Sequence, residues 1–273
     1  MSPHPTRRAF ALPMVIMLVM LASLLIVVML QRSTVQSRTV KRQMDSYLEH
    51  HASRGFQEIL SAWTNSLGRY SMLDVLEEDG HAFDLTLADR SVVKISIQDA
   101  QGALVTSMVG LTEQQEYLVL EPLKWLDALY PNRMDLVRPA GPMQVSARTA
   151  PKEVLDAIEA SILDTDPPGT LASEIFKARA DGTLDATELA AAGNAAGFQA
   201  GTAAGDFRNL LTHEPQLFRA VVELHTPQFG GGTRLAARYS GLLQVRNANT
   251  GTTQPGTLVS ASLFLSWGPM PMQ

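Results

Sequence analysis

A long apolar run near the N-terminus constrains this chain more than any other feature of its sequence. From Phe10 to Leu30 the only residues that are not apolar are Pro13 and Ser23. About 21 residues rising 1.5 Å each form a helix of roughly 31 Å, which matches the hydrocarbon core of a bilayer. The run is longer than the apolar part of a secretory signal peptide, and no small-residue cleavage site follows it. We therefore predict a membrane helix that is retained.

Helical periodicity continues beyond this run. Apolar residues recur at spacings of three, four and seven as far as Leu67. Gly55 is the one weak point of this helical segment. The pattern predicts one helix of some 50 residues, apolar on all sides at first and amphipathic afterwards. The amphipathic stripe consists of Met44, Leu48, Phe56, Ile59, Leu60, Trp63 and Leu67.

Composition excludes several classes of function. The chain of 273 residues has a formal net charge of -5, which argues against general nucleic-acid binding. It contains no cysteine, so a disulfide framework, a thiolate nucleophile and a cysteine metal site are all excluded.

Basic residues flank the apolar run on both sides, and the positive-inside rule taken literally mildly favours a cytoplasmic C-terminal part. These residues are Arg7 and Arg8 before the run and Arg32, Arg38, Lys41 and Arg42 after it.

The N-terminus resembles that of type IV pilins and type II secretion pseudopilins, because a short basic leader ending in RRA precedes FALPMVIMLVMLASLLIVVML. The resemblance implies that a prepilin peptidase cleaves between Ala9 and Phe10 and that the new amino group of Phe10 is methylated. Two positions depart from the pattern. Ala9 stands where the family usually has Gly, and Met14, the fifth residue after the cut, stands where it usually has Glu. The minor pseudopilin K subunit characteristically lacks that Glu.

Proline 13 is compatible with a helix that starts near Phe10. A proline inside a helix costs about 3 kcal/mol because it removes a hydrogen bond and clashes with the preceding turn. The first four N–H groups of a helix have no intrahelical partner. In a helix that begins at Phe10, Pro13 is the fourth residue and costs little.

The remaining chain alternates between strand and helix patterns. Residues 83–87, 93–97 and 103–109 predict three short antiparallel strands, with a turn at 99–102. Thr149 is a plausible N-cap for a helix that carries Pro151 in its first turn and runs to residue 163. Short helices follow over 170–212, and strands return at 217–226, 233–247 and 256–268.

This order of elements resembles the minor pseudopilin K family of the type II secretion system (general secretion pathway protein K-like), as a divergent member. The stretches VVKISIQDAQGALVTS and MQVSARTAPKEVL resemble the family's strand–turn–strand and its strand entering a helix. Residues 170–212 resemble its helix-hairpin-helix or SAM-like domain. The family's larger helical insertion is missing, and QEYLVLEPLKWLDALYPN occupies that place.

We therefore predict an α+β fold in which a long N-terminal helix packs on an antiparallel sheet that holds a small inserted helical domain. The predicted parts follow the chain in six consecutive segments. They are a leader (1–9), a transmembrane part of the helix (10–30), its amphipathic continuation (31–68), the first strands with a connecting segment (69–150), the helical domain (151–212) and the C-terminal strands (213–273).

No motif in the sequence supports catalysis. The segment DGTLDATEL fits the second half of an EF-hand loop, but Lys177 and Arg179 stand where calcium needs carboxylates, so we predict a capped turn between helices. His50 and His51 are adjacent and point to different faces of a helix. THEP lacks the second histidine of a zincin motif, and FGGGT lies between strands without a following helix. We predict no enzyme, no catalytic residue, no metal site and no cofactor.

The resemblance implies a protein that works by assembly. It would lie in the inner membrane with its C-terminal part in the periplasm, as a minor pseudopilin at the tip of a pseudopilus. Its partners would be the other minor pseudopilins, the major pseudopilin and prepilin peptidase, with no nucleic acid. Two alternatives are a type IV pilus minor pilin or assembly protein and a single-pass periplasmic hydrolase. The residues expected to mediate helix assembly are Met14, Leu18, Leu25 and Val28.

Overall fold

The computed structural model describes residues 11–199, 201–247 and 260–270. The chain divides into two compact units, Met1–Gly55 and Phe56–Gln273. The first unit is helical over its described part, and the second combines helices with β-strands. The helices are α1 (Ala11–Glu77), which contributes residues to both units, α2 (Glu113–Leu129), α3 (Lys152–Leu163), α4 (Thr170–Ala180), α5 (Ala186–Ala195) and α6 (Gly201–Leu210).

The second unit is built on an antiparallel sheet of five strands in the order β1-β2-β7-β8-β9. The predicted α+β class is confirmed. Two short parallel pairs, β3 with β4 and β5 with β6, lie outside this sheet. The strands are β1 (His81–Thr86), β2 (Val92–Asp99), β3 (Leu104–Val105), β4 (Val137–Arg138), β5 (Val145–Ser146), β6 (Leu211–Thr212), β7 (Leu217–Pro227), β8 (Thr233–Asn247) and β9 (Ser260–Pro269).

The C-terminal part of α1 packs on the sheet. Phe56 and Leu60 are buried, the Phe56 ring lies 5.5 Å from that of Tyr239, and the Trp63 ring lies 5.5 Å from that of Phe83. Phe56, Leu60 and Trp63 belong to the predicted amphipathic stripe. The sheet presents alternate residues of β2 to this core, because successive side chains of a strand point to opposite faces. The buried residues of β2 are Val93, Ile95 and Ile97.

Helix α1 continues past the sequence-based boundary at residue 68 and ends at Glu77. Its last turns bury Met72 and Leu73. Gly80 then allows the tight connection to β1. Its φ is +76°, and a Cβ at this position would lie 2.4 Å from the carbonyl oxygen of Ile97, so only glycine fits.

The third predicted strand does not pair as expected. Leu104 and Val105 form β3, which runs parallel to β4 instead of antiparallel to β2. The reason is that β1 and β7 already occupy both edges of β2. The chain leaves the sheet at the predicted turn, where the Asp99 carboxylate accepts a hydrogen bond from the N–H of Gln101 at 2.8 Å.

Helices α2–α6 and the short strands surround a second core. The segment 113–129 forms α2, which begins with a capping box between Thr112 and Gln115 and contains Pro122. The prediction of Thr149 as the N-cap of α3 is wrong, because α3 begins at Lys152 after Pro151. A residue that precedes proline is disfavoured in the helical region, which delays the start of the helix. Large buried residues of this core include Leu118, Leu126, Leu155, Ile158, Leu171, Ile175, Phe198, Phe207 and Leu210.

Candidate functional site

The apolar part of α1 exposes its side chains on every face. The large apolar residues of the described segment from Met14 to Leu30 are all at least 50% exposed. Burial of one such side chain is worth about 1.5–3 kcal/mol, so a helix with this surface requires lipid or apolar partner helices. By length and composition, one helix in the described part of the chain can cross a membrane. It lies within Met14–Ser66, and its most apolar stretch has a mean hydropathy of 2.8.

The four residues predicted to mediate helix assembly share one face of α1. A helix turns by about 100° per residue, so positions 14, 18, 25 and 28 fall within an arc of about 80°. Their exposed fractions are 71% for Met14, 64% for Leu18, 60% for Leu25 and 52% for Val28. This face therefore offers a continuous apolar stripe about two turns above and below Leu21. The predicted cleavage and methylation positions, Ala9 and Phe10, lie outside the described residues.

Hydroxyl groups in and after the apolar run are satisfied within the helix itself. The hydroxyl of Ser23 donates to the carbonyl oxygen of Val19 at 2.8 Å, and that of Thr34 donates to Leu30 at 2.8 Å. An unsatisfied polar group in hydrocarbon costs several kcal/mol. Ser23 therefore does not prevent this part of α1 from lying in a bilayer.

The histidine pair lies on the helix after the apolar run. The rings of His50 and His51 have centroids 5.8 Å apart and are nearly perpendicular, while His51 lies 4.2 Å from the ring of Tyr47. In the described ranges, three or more His, Asp or Glu side chains are nowhere grouped closely enough to hold a metal ion.

The second unit contains a polar cluster, here called the polar node, where β2, β5 and β7 meet. The Ser146 hydroxyl donates to the Asp99 carboxylate at 2.5 Å. The side chain of Gln101 is fully buried, donates to the carbonyl oxygen of Gln144 at 2.8 Å and accepts from the N–H of Leu217 at 3.1 Å. These contacts join the strand that leaves the sheet to the segment that enters the helices.

Three arginines fasten the same region through backbone carbonyls. Arg138 donates from Nε to the carbonyl oxygen of Ala103 at 2.9 Å, and Arg179 donates from Nε to that of Ala147 at 2.7 Å. Arg148 donates from Nε to the carbonyl oxygen of His213 at 2.8 Å, and it forms an ion pair of 3.0 Å with Glu77. Bonds from charged donors to carbonyls lock loops in place, so this cluster positions backbone and has the character of a structural joint.

Burial controls the protonation of this cluster. The pKa of Asp99 is raised by burial, against the lowering effect of its hydrogen bonds from Ser146 and from Gln101. Burial lowers the pKa of Arg138 and of Arg179 to about 10, and the charge of Asp99 opposes that shift. Both arginines remain protonated near neutral pH, which their bonds to carbonyls require.

A cleft of about 370 Å³ lies between α5, α6 and β6 and bears on the enzymatic alternative. Thr212 and His213 line it together with Phe198 and Phe207. The Thr212 hydroxyl donates to the carbonyl oxygen of Glu214 at 3.2 Å and accepts from the N–H of the same residue at 3.1 Å. Since this hydroxyl closes a local turn, the cleft presents no paired nucleophile and base.

The partial EF-hand pattern forms a turn between α4 and α5. Gly182 adopts a positive φ of 68°, and the Asp185 carboxylate accepts from the N–H groups of Thr187 and Glu188 at 2.7 and 2.8 Å. Asp185 is thus the N-cap of α5, and the predicted capped turn is confirmed. Its carboxylate accepts hydrogen bonds from N–H groups that have no partner within the helix, as N-cap side chains do.

Sequence reasoning did not identify Gln101, Arg138 and Arg179 as parts of one cluster. Each is polar and lies in a different segment, and each binds carbonyl groups that a sequence does not mark. The turn at 99–102 was the one available signal, because an Asp two residues before the N–H that it accepts is typical of an Asx-turn.

Comparison with known proteins does not assign the chain to a family. No protein-family model matches the chain, and no curated protein matches it. Among solved structures, a chain in the crystal structure of the GspK-GspI-GspJ complex from the enterotoxigenic Escherichia coli type 2 secretion system is similar. The two chains are 11% identical, the TM-score is 0.37, and the match covers 84% of this chain and 100% of the other. These values are too low to establish a common fold, so a functional assignment depends on the chain's own residues.

Proposed function

We propose that this protein is a minor pseudopilin of a type II secretion apparatus, similar to the K subunit, which acts by assembly at the tip of a periplasmic pseudopilus. The observation that carries the proposal is helix α1. One helix, Ala11–Glu77, is apolar and exposed on all faces at its beginning and is buried against an antiparallel sheet at its end. A simple anchor needs only the first part. A helix that must lie in a membrane and then pack in a filament needs both.

The leader sequence supports the same proposal. RRA directly precedes Phe10, so prepilin peptidase would cleave between Ala9 and Phe10 and the amino group of Phe10 would then be methylated. The mature chain would begin with the apolar helix. Prepilin peptidase, the other minor pseudopilins and the major pseudopilin are the implied partners, and the inner membrane is the implied location.

The inserted helices favour the secretion subunit over a type IV pilus minor pilin. Helices α3–α6 lie between β5 and β6, after the chain has left the five-stranded sheet and before β7 returns to it. The pilus alternative shares the N-terminal helix without requiring this insertion. The hydrolase alternative requires a nucleophile with a base, and the cleft between α5, α6 and β6 does not offer that pair.

Mass spectrometry of the mature N-terminal peptide tests the proposal in cells that contain prepilin peptidase. We expect the peptide to begin with a methylated Phe10, and we expect Ala9→Gly to be processed at least as fast as the wild-type protein. An intact Met1 or Ser2 terminus, or cleavage beyond Leu30, would contradict the assignment.

Membrane orientation provides a second test, because the charges on both sides of the apolar run leave it open. The proposal requires the second unit to lie in the periplasm. The chain has no cysteine, so a single Val109→Cys variant gives one exposed thiol, at a side chain that is 93% exposed. A membrane-impermeant maleimide added to cells with a permeabilised outer membrane should label it, and labelling only after lysis would place the unit in the cytoplasm.

A further inference from the structure

A basic segment directly follows the apolar run of α1. It consists of Arg32, Arg38, Lys41 and Arg42, and all four side chains are exposed. Although the chain has a formal net charge of -5, none of its 27 acidic residues lies before Asp45. In the part of the chain that the structure describes, none of the four basic side chains forms an ion pair or a hydrogen bond. This end of an otherwise acidic protein therefore carries positive charge alone, and that charge is available to a partner.

The basic segment begins at the depth of the lipid headgroups. At 1.5 Å per residue, Arg32 lies about 3 Å and Arg38 about 12 Å beyond Leu30 along the helix axis. The headgroup layer on each side of a bilayer is about 5–8 Å thick. Side chains of a helix lean towards its N-terminus, so the long arginine side chains reach back towards the apolar run. In a bilayer that this run spans, Arg32 therefore lies within the headgroup layer and Arg38 reaches its outer boundary.

The four basic side chains share one half of the helix, here called the basic face. A rotation of about 100° per residue places positions 32, 38, 41 and 42 within an arc of about 180°. Between residues 31 and 44 the other half of the helix carries uncharged side chains, which are Ser33, Gln36, Ser37, Val40, Gln43 and Met44. The basic face thus begins at the level where the surroundings of the helix change from acyl chains to phosphates.

We propose that the basic face binds the headgroups of anionic phospholipids in the same bilayer that the apolar run spans. The inference rests on the proposed function, which places α1 in the inner membrane. Arg32 and Arg38 contact headgroup phosphates through charge-assisted hydrogen bonds, for which the planar guanidinium has a matching geometry. Lys41 and Arg42 lie about 17 and 18 Å beyond Leu30. They add a weaker attraction, which falls off over a screening length of about 8 Å.

Charge and depth favour a lipid over a protein as the occupant. Each cation close to an anionic membrane surface strengthens binding about fivefold. The stretch from Phe10 to Met44 holds no carboxylate that would be repelled by such a surface. The acidic side chains of a partner helix, in contrast, would have to lie among anionic headgroups at this depth and would be repelled by them. Lipids also surround the helix from its insertion onwards, before any other subunit joins it.

Crosslinking of lipids to the full-length protein tests the proposal. A diazirine amino acid replaces Val35, which is 62% exposed and lies on the basic face between Arg32 and Arg38. The protein is reconstituted in vesicles of phosphatidylcholine with a minor fraction of phosphatidylglycerol, and the lipid adducts are quantified by mass spectrometry after irradiation. A probe at Ser33 is the control, because it lies at a similar depth but about 160° around the helix from Val35.

The ratio of phosphatidylglycerol to phosphatidylcholine adducts at Val35 should exceed the ratio in the vesicle severalfold, with a smaller excess at Ser33. A ratio at Val35 equal to that of the vesicle overturns the proposal. Glycerol phosphate added in solution should leave the ratio unchanged, because it lacks the acyl chains that hold a headgroup in the bilayer. Effective competition by glycerol phosphate would reveal a site for free phosphate and would also overturn the proposal.

Charge variants test the depth of the contact. Arg32→Gln/Arg38→Gln should remove the excess at Val35, whereas Arg32→Lys/Arg38→Lys keeps the charge and should retain most of the excess. Lys41→Gln/Arg42→Gln removes the same charge farther from the bilayer and should also retain most of it. Equal losses in the two glutamine variants would show that the arginines make no direct headgroup contact and would refute the basic face as a lipid site.

Membrane extraction separates this proposal from the proposed function. Alkaline carbonate should leave the wild-type protein in the membrane, and its release would refute the membrane location that both proposals require. An inserted protein without a lipid preference refutes the lipid site alone. In that case, loss of crosslinks from Leu18 to sister subunits in Arg32→Gln/Arg38→Gln would assign the basic face to acidic partner helices instead.

Discussion

The Ser146 hydroxyl donates a hydrogen bond to the carboxylate of Asp99, although the two residues lie 47 positions apart in the chain. Asp99 ends β2 in the sheet, and Ser146 ends β5 where the chain enters the helices. The bond therefore joins the two halves of the second unit at the point where the chain passes between them. Removal of either partner should therefore destabilise both halves of the second unit.

Ser146→Ala should lower the free energy of unfolding by about 1.5–3 kcal/mol. The buried carboxylate of Asp99 loses the hydrogen bond from the hydroxyl, and hydrogen bonds to charged groups are worth about this much. Urea denaturation of the full-length protein in detergent, followed by tryptophan fluorescence, measures this change. Ser173→Ala is the matched control, since Ser173 is exposed on α4 and its replacement should be nearly neutral. Equal effects of the two substitutions would show that the polar node contributes nothing to stability.

Asp99 should also make stability depend on pH. Its pKa in the folded protein is raised by burial, so the folded state holds this proton at pH values where the unfolded chain has already lost it. Its contribution is therefore most favourable below the unfolded pKa and is lost as the pH rises through the folded pKa. Relative to Asp99→Asn, the wild-type protein should gain stability as the pH falls from neutral towards 4. A difference between the two proteins that stays constant over that range would contradict the raised pKa.

Two helical glycines should respond to alanine in opposite ways. A Cβ on Gly193 would lie 2.6 Å from the ring of the buried Phe207, so Gly193→Ala should cost about 1–3 kcal/mol through overpacking. A Cβ on Gly205 meets no atom within 4 Å, so Gly205→Ala should stabilise α6 by about 0.5–1 kcal/mol. Thermal melts of the two variants beside the wild type decide the matter. A stabilised Gly193→Ala protein would show that α5 and α6 do not pack as described.

The turn before α5 should depend on its cap and not on calcium. Asp185→Ala removes the acceptor for two N–H groups and should lower the Tm, whereas Asp181→Ala removes an exposed carboxylate and should leave it unchanged. Millimolar calcium should not shift the Tm of the wild type, because Lys177 and Arg179 occupy the first two ligand positions of an EF-hand pattern. A rise of several degrees that disappears in Glu188→Ala would establish a calcium site instead.

Met14 should determine how the apolar helix recruits its neighbours. Methionine cannot accept the charge of another subunit's amino terminus, and a paired carboxylate in the bilayer would be stabilising where a lone one is costly. Met14→Glu should therefore still insert in the membrane but should crosslink to co-expressed minor subunits with altered yield. Ile16→Glu is the control, because it adds the same charge at nearly the same depth but about 160° around the helix from Met14. Long ladders of self-crosslinked wild-type protein would contradict a place at the filament tip.

The sequence alone determined the parts of this protein that depend on local pattern. The apolar run, the amphipathic stripe through Phe56 and Leu60, and the strands around Ile95 and Leu243 are written as periodicities of 3.6 and 2, which arise from the geometry of one helix or one strand. The turn at 99–102 and the cap at Asp185 were readable for the same reason, because each involves only neighbouring residues.

Only the tertiary structure decided which distant segments meet. Leu104 and Val105 have the pattern of a sheet strand, yet β1 and β7 already occupy the edges of β2, so the chain turns away and pairs with β4. The polar node likewise exists only once β2, β5 and β7 are assembled, because Gln101 and the arginines bind backbone carbonyls, which every residue carries and no sequence pattern distinguishes. The uncharged sequence of β9 is visible in the chain, but its place at the edge of the sheet is a property of the fold.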